Sequence, residues 1–361
     1  MKNVTKILTV VTLCATLFGS VQRIDALGGN AALWPGDEAN ITAFPAQVNN
    51  HGFVQLSGVG TATEDHDGSV GMIFQKDATT WGFNYGSNDN WVSMMWGDGS
   101  MGVAVALEST TGANEASDMS VSYGNTFDWG EIGVHYATVD NGDGDATLGL
   151  NYRTDWGFWL FDNTVASVSD LMADDLALHA DFFTHMDAGG ADVVYGWGFG
   201  YDGGAGTHAV LNTSAWDATA NDNVGACTND GVDHSEEGDA PDCSNAVAST
   251  NVVSMNQTAT IGVEANMTDW ATLRVGYNWS HSLACDNGDV ANADGTDLVA
   301  NDDCGENMGG FAWGLGFNWG GLTADFTVDS GLLLDPVGTI TGNNDAAGGL
   351  TSSAITLTYS F

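Results

Sequence analysis

Eight charged or imidazole side chains stand in stretches that alternate with period two: Glu131, His135, Arg153, His179, Asp181, Glu264, Arg274 and Asp325. Acid and His groups facing one cavity suit proton transfer. Catalysis by such pairs also needs a nucleophile turn of the G-x-S-x-G kind, and the chain has none. The chain is therefore read as a non-enzyme. Two arginines facing a mostly acidic wall are expected to create a transverse field that selects ions.

Four further cysteines could do chemistry: Cys227, Cys243, Cys285 and Cys304. In an exported chain they point to disulfides, with Cys227–Cys243 and Cys285–Cys304 each lying inside one long loop. A zinc site using His234 is the rival reading, but close C-x2-C spacing is absent. Both loops are crowded with acids. Asp140, Asp143 and Asp145 form a tighter cluster whose hard oxygen ligands would suit Ca2+ or Mg2+. No run matches the twelve-residue calcium loop, and a solvated acidic turn is the favoured reading of the cluster. Gly198-Phe199-Gly200-Tyr201-Asp202-Gly203 matches G-x-G-x-x-G, yet no helical pattern follows it, so no dinucleotide site and no organic cofactor are expected.

The elements positioning these groups read as strands. In Thr272 to Trp279 one face carries Leu273, Val275, Tyr277 and Trp279, and the other carries Thr272, Arg274, Gly276 and Asn278. Residues 146–153 repeat the pattern, and about sixteen such runs follow one another from residue 50 (fourteen is the alternative count). One of these runs is placed at 157–165. Apolar rings on one face and Gly, Thr, Asn, Asp and Arg on the other suit an all-β, antiparallel up-and-down transmembrane barrel with a lipid side and a wet lumen. The connections differ by parity. Short turns such as 126–129 and 319–320 alternate with longer connections that include the long loops 201–255, 281–309 and 331–351. Trp129, Trp156, Trp270 and Trp319 each follow Asp or Asn at a short turn, as expected of an aromatic girdle at the membrane boundary.

The 361-residue chain carries a net charge of −41, with 47 acidic and 6 basic residues. That charge repels nucleic acid and attracts cations. Lys2, Lys6 and the apolar run Ile7 to Phe18 read as an export signal, too short to span a bilayer as a helix. Cleavage is expected after Ser20 or Ala26. Residues 1–26 are therefore assigned to the signal, 27–49 to an N-terminal periplasmic extension or hatch, and 50–361 to the barrel. Cys14 is a weak lipidation candidate, because Leu13 stands where a small residue is needed.

The last strand, Ala354 to Phe361, alternates throughout and ends in Tyr359-Ser360-Phe361. It resembles the C-terminal assembly signal of bacterial outer-membrane barrels, porins among them. The resemblance implies recognition of Tyr359 and Phe361 by barrel-assembly machinery, residence among outer-membrane lipids, and a homotrimer as a common assembly. Gly28-Gly29-Asn30, Asp37-Glu38-Ala39-Asn40-Ile41 and Phe44-Pro45-Ala46 resemble the N-terminal hatch of the long-chain fatty-acid transporter family. Phe44 replaces that family's Asn, and the likeness covers about 20 residues. The leading expectation is an outer-membrane porin passing small hydrophilic solutes or cations by passive diffusion. A hatch-bearing transporter of hydrophobic substrates and an adhesive or structural surface barrel are the alternatives.

Overall fold

A computed structural model describes residues 21–59, 68–86, 92–110, 116–138, 146–171, 176–205, 208–210, 245–247, 251–286, 289–291, 298–300, 308–328 and 355–361. Sixteen antiparallel strands close into one barrel. They are β1 (Phe53–Val59), β2 (Ser69–Lys76), β3 (Thr79–Gly86), β4 (Val92–Gly97), β5 (Met101–Thr110), β6 (Ala116–Phe127), β7 (Gly130–Thr138) and β8 (Ala146–Thr154), followed by β9 (Asn163–Ser169), β10 (Leu176–Asp187), β11 (Ala191–Ala205), β12 (Asn251–Thr268), β13 (Ala271–Asp286), β14 (Met308–Trp319), β15 (Leu322–Val328) and β16 (Ile355–Ser360). Two small hairpins, His208–Val210 with Asn245–Val247 and Asp289–Ala291 with Leu298–Ala300, lie outside the barrel sheet.

Period-two patterning explains the closure. Each strand turns one apolar edge outward, where Val70, Tyr85, Met94, Leu107, Phe199 and Tyr277 are exposed. No water-soluble fold tolerates so continuous an apolar outer wall, whereas lipid does. No helix among the described residues is long and apolar enough to cross a membrane, and closing the sheet leaves no backbone edge unpaired in lipid. The seam pairs Phe53 with Ser360 and Leu56 with Leu357, and the register shifts between Leu56 and Val59. Gly58, with φ of +72°, supplies the left-handed backbone that this bulge requires.

All seven short turns, from 77–78 to 320–321, gather at one rim. Phe361 joins them there, its N–H donating to the Gly52 carbonyl at 3.3 Å. The strand expected at 157–165 begins only at Asn163. Residues 155–162 instead form a turn in which Trp159 adopts a φ of +59°. Phe158 of this turn packs near Phe182 of β10. The apolar run Phe158-Trp159-Leu160-Phe161 imitates a strand, but the ring of Trp159 stays exposed on the turn. Strands β11 and β13 also run further than their periodic cores, to Ala205 and Asp286, which shortens the expected 201–255 and 281–309 loops.

The N-terminal segment lies inside this cylinder. It comprises a short helix α1 (Val21–Ala26) and 3-10 turns at Ala31–Leu33, Glu38–Ile41 and Pro45–Asn50. Asn30 and Asp37 cap the first two 3-10 turns by accepting from the N–H groups of Ala32 and Ala39. Ile24, Leu27, Leu33, Trp34, Ala39 and Phe44 bury against Val165, Phe183 and Val194 of the wall. A second cluster joins Ile41 and Val48 to Phe53, Ile73 and Met95. Burying each large side chain is worth about 1.5–3 kcal/mol over leaving it in water. An irregular segment with so little internal backbone pairing is thus held chiefly by its contacts with the barrel.

Candidate functional site

The candidate site is the lumen where this segment meets the wall. Gly102, Gly124, Gly133 and Gly276 face inward at the points of closest approach. A side chain at Gly102 or Gly133 would collide with the carbonyl oxygens of Pro45 or Ala43, and one at Gly276 with the backbone N of Gly28. At Gly124 an added Cβ would lie 2.7 Å from the Ala46 N. Glycine is required here because backbone presses on backbone.

Charged residues fix the segment laterally. Glu131 and Arg153 stand directly opposite each other on β7 and β8, and Arg153 Nη2 donates to Glu131 Oε2 at 2.6 Å. Arg153 Nη1 also donates to Asn40 Oδ1 at 3.1 Å, and its guanidinium lies 4.5 Å from the centroid of the Phe44 ring. Gln47 Nε2 donates to both oxygens of Glu131 at 2.8 Å. One wall ion pair therefore grips three residues of the inner segment. A buried pair of this kind needs such extra partners to offset its desolvation.

The second charged group crosses the lumen at α1. Arg23 donates to Glu264 through Nε at 2.9 Å and through Nη2 at 2.7 Å, and pairs with Asp37 through Nη1. Arg274, opposite Glu264 on β13, donates to Asp325 Oδ1 at 2.6 Å and lies 3.6 Å from Glu264. Burial works against the charge on Arg23, but Asp37 and Glu264 outweigh it and hold its pKa above the usual value. Burial pushes the Glu38 carboxyl up to about 7, with the Asp37 charge adding to the shift, and the Asp25 carboxyl up to about 6.

Two of the histidines bind backbone. His135 Nε2 lies 2.9 Å from the Ala43 carbonyl, which can only accept, so this nitrogen carries the proton and Nδ1 accepts from Ser122 Oγ at 2.8 Å. His185 Nε2 donates to the Leu33 carbonyl at 2.7 Å. His179 lies 2.9 Å from Asp181, whose Oδ2 also accepts from Asn30 at 3.1 Å.

All eight residues expected on the inner face are there, and seven fall into these contacts with the inserted segment or its ion pairs; His179 joins through Asp181. The expected field of two lone arginines is not what the geometry holds. Arg153 and Arg274 are buried and matched by carboxylates, because each wall cation faces an acid across the strand pair. Gln47, Asn49, His185 and Arg23 escaped the sequence reading, and Asn40 entered it only through the hatch resemblance. Asn49 donates to the Met101 carbonyl at 2.9 Å and accepts from Gly99 N–H at 2.9 Å, linking the segment to the β4–β5 turn. For the residues of the segment the signals were the Asx and Gln density of 37–50 and the hatch resemblance; Arg23 and His185 carried none.

Trp129, Trp156, Trp270 and Trp319 all sit exposed at the short-turn rim. Trp129 stacks on Phe127 with centroids 4.8 Å apart, and Trp270 and Trp319 both stack on Phe317. Tyr359 and Phe361 lie exposed on the closing strand and its end, 6.4 Å apart. Cys285 falls in β13 opposite Ser254. Cys227, Cys243 and Cys304 lie outside the described residues, as do Asp140, Asp143, Asp145 and the 331–351 loop.

No protein-family profile matches the sequence, and no curated protein matches it. Among solved structures, the barrel is similar to a bacterial polysaccharide outer membrane secretin, at 9% identity and a TM-score of 0.39, over 86% of this chain and 97% of that one. It is also similar to the FrpB iron transporter from Neisseria meningitidis, at 10% identity and a TM-score of 0.28, over 77% of this chain and 46% of that one. OmpT, an outer membrane protein of Vibrio cholerae in trimer form, matches at 10% identity and a TM-score of 0.23, over 84% of this chain and 69% of that one.

Proposed function

We propose that the chain is an outer-membrane transporter of small polar solutes, closed at its short-turn rim by a hatch made of residues 21–50. The observation carrying this reading is the seating of that segment. Backbone at Gly28, Ala43 and Pro45 lies against wall glycines, and Arg153 with Glu131 clamps Asn40, Phe44 and Gln47. Open passive diffusion, the leading expectation from sequence, gives way to gated passage. Solute crosses when the hatch shifts or loosens, while the barrel stays fixed.

Polar cargo is favoured by the inward faces beyond the hatch. Ser120 and Ser122 of β6, Ser167 and Ser169 of β9, Asn256 and Thr258 of β12 and Ser280 of β13 alternate with lipid-facing residues. They offer hydrogen bonds and no apolar groove. Cation preference follows from the net charge of −41, since the described lumenal guanidiniums already face carboxylates. Transport of hydrophobic substrates remains the second reading, favoured by the hatch itself; its apolar residues, however, are spent on packing.

Proteoliposomes separate the two. Swelling in small sugars, with a cation-selective reversal potential under a KCl gradient, is expected. Saturable binding of a fluorescent fatty acid, with no swelling, would overturn the polar reading in favour of the hydrophobic one.

A further inference from the structure

The sequence leaves two cleavage points for the export signal, after Ser20 and after Ala26, and neither has a small residue at the third position before the cut. The two differ by α1, the six residues Val21–Ala26. The fold treats these residues unlike a discarded leader. Ile24 and Ala26 are buried in the lumen, and Ala26 packs where Gly314 of the wall leaves room. Gln22 is buried too. Its carbonyl accepts from Thr327 Oγ1 at 3.1 Å, and its side chain pairs with Thr356 of the closing strand.

Arg23 is the deciding residue. Its partner Asp37 has a side chain with no solvent exposure, and Glu264 receives two of its N–H groups. A cut after Ala26 would leave Asp37 without this guanidinium, close to Glu38 and Glu264. Removing one partner of a buried pair is strongly destabilising. The α1 helix also packs along β13, β14, β15 and β16, so its loss would open the lumen beside the barrel seam.

We propose that export processing occurs at Ser20 and that the mature protein begins at Val21, keeping Arg23 as the ion-pair latch of the hatch. This inference rests on the hatch reading and on the N-terminal signal. It sharpens the domain boundary as well: the hatch spans 21–50, not 27–49.

Intact-mass measurement and N-terminal sequencing of the protein purified from membranes test it. A chain beginning at Val21 is expected. A start at Leu27, or an uncleaved Met1, would overturn it. A second arm places the leader directly before Leu27, so that α1 is never present. That form is expected to assemble as a barrel but lose protection of the hatch from protease, and Arg23→Ala in the full chain should share the loss while Arg23→Lys retains most protection. If both α1-less and Arg23→Ala forms protect the hatch like the parent, the latch assignment fails even with a Val21 start. The hatch reading stands or falls separately, on conductance.

Discussion

The outer and inner faces of the same strands obey one alternation and answer to different neighbours. On β7, Ile132, Val134 and Tyr136 point outward, while Glu131, Gly133 and His135 point inward and meet Gln47, Ala43 and the Ala43 carbonyl. Lipid asks only for apolar bulk, so the outer face is interchangeable among Val, Leu, Met and rings. The hatch is a specific solid. It asks for a carboxylate at one inward position, absence of a side chain at the next and an imidazole donor beyond it. The outer face therefore tolerates substitution, and the inner one does not.

Breaking the inner ion pair should show this most sharply. Arg153→Ala leaves Glu131 buried with only the Gln47 amide, a change expected to cost about 3–5 kcal/mol. Chymotryptic cleavage of the hatch in detergent, which can fall at Leu33, Trp34 and Phe44, should accelerate, and Arg153→Ala paired with Glu131→Gln should recover part of the loss. If the single variant protects the hatch like the parent, the clamp is not what holds it.

Crowding comes next. Gly133→Leu forces a side chain into the place of the Ala43 carbonyl, and overpacking of this kind costs about 1–3 kcal/mol. Cells carrying it should become sensitive to a large antibiotic normally kept out. The outward control, Val134→Leu, should leave sensitivity unchanged; equal effects would erase the contrast between the faces.

A pH step of smaller size follows from the buried carboxyls. Glu38 and Asp25 have folded pKa values near 7 and 6, raised by burial from 4.5 and 3.8. Their stabilising contribution is full below the unfolded values and disappears as pH rises through about 6 to 7. Channel openings should be more frequent at pH 8 than at pH 5, and Glu38→Gln should flatten most of that difference. Openings that grow rarer with rising pH would contradict the assignment.

The smallest change belongs to the short-turn rim, away from the hatch. Trp159→Ala on the exposed 155–162 turn is expected to shift barrel stability by no more than about 0.5 kcal/mol, as read by heat-modified gel mobility.

The sequence made the wall legible because strand patterning is periodic and lipid enforces it over every crossing. The runs read at 146–153 and 272–279 fall within β8 and β13, whereas the one placed at 157–165 missed β9, because the apolar run Phe158 to Phe161 looks like a buried strand and forms a turn instead. The hatch has no period to read. Its likeness to a known hatch pointed to residues 27–49, yet α1 was hidden inside the apparent leader. Arg153 and Arg274 stand in runs whose alternation is readable, but their partners depend on cross-strand register and, for Arg153, on a segment over a hundred residues away. Spacing along the chain carries no trace of the Asn40–Arg153 contact.

Planar-bilayer recording tests the central claim most directly, by comparing the mature chain with one lacking residues 21–50. The hatch account predicts low, flickering conductance for the mature chain and large, steady, cation-selective steps for the deletion. Equal large steps from both proteins would contradict it.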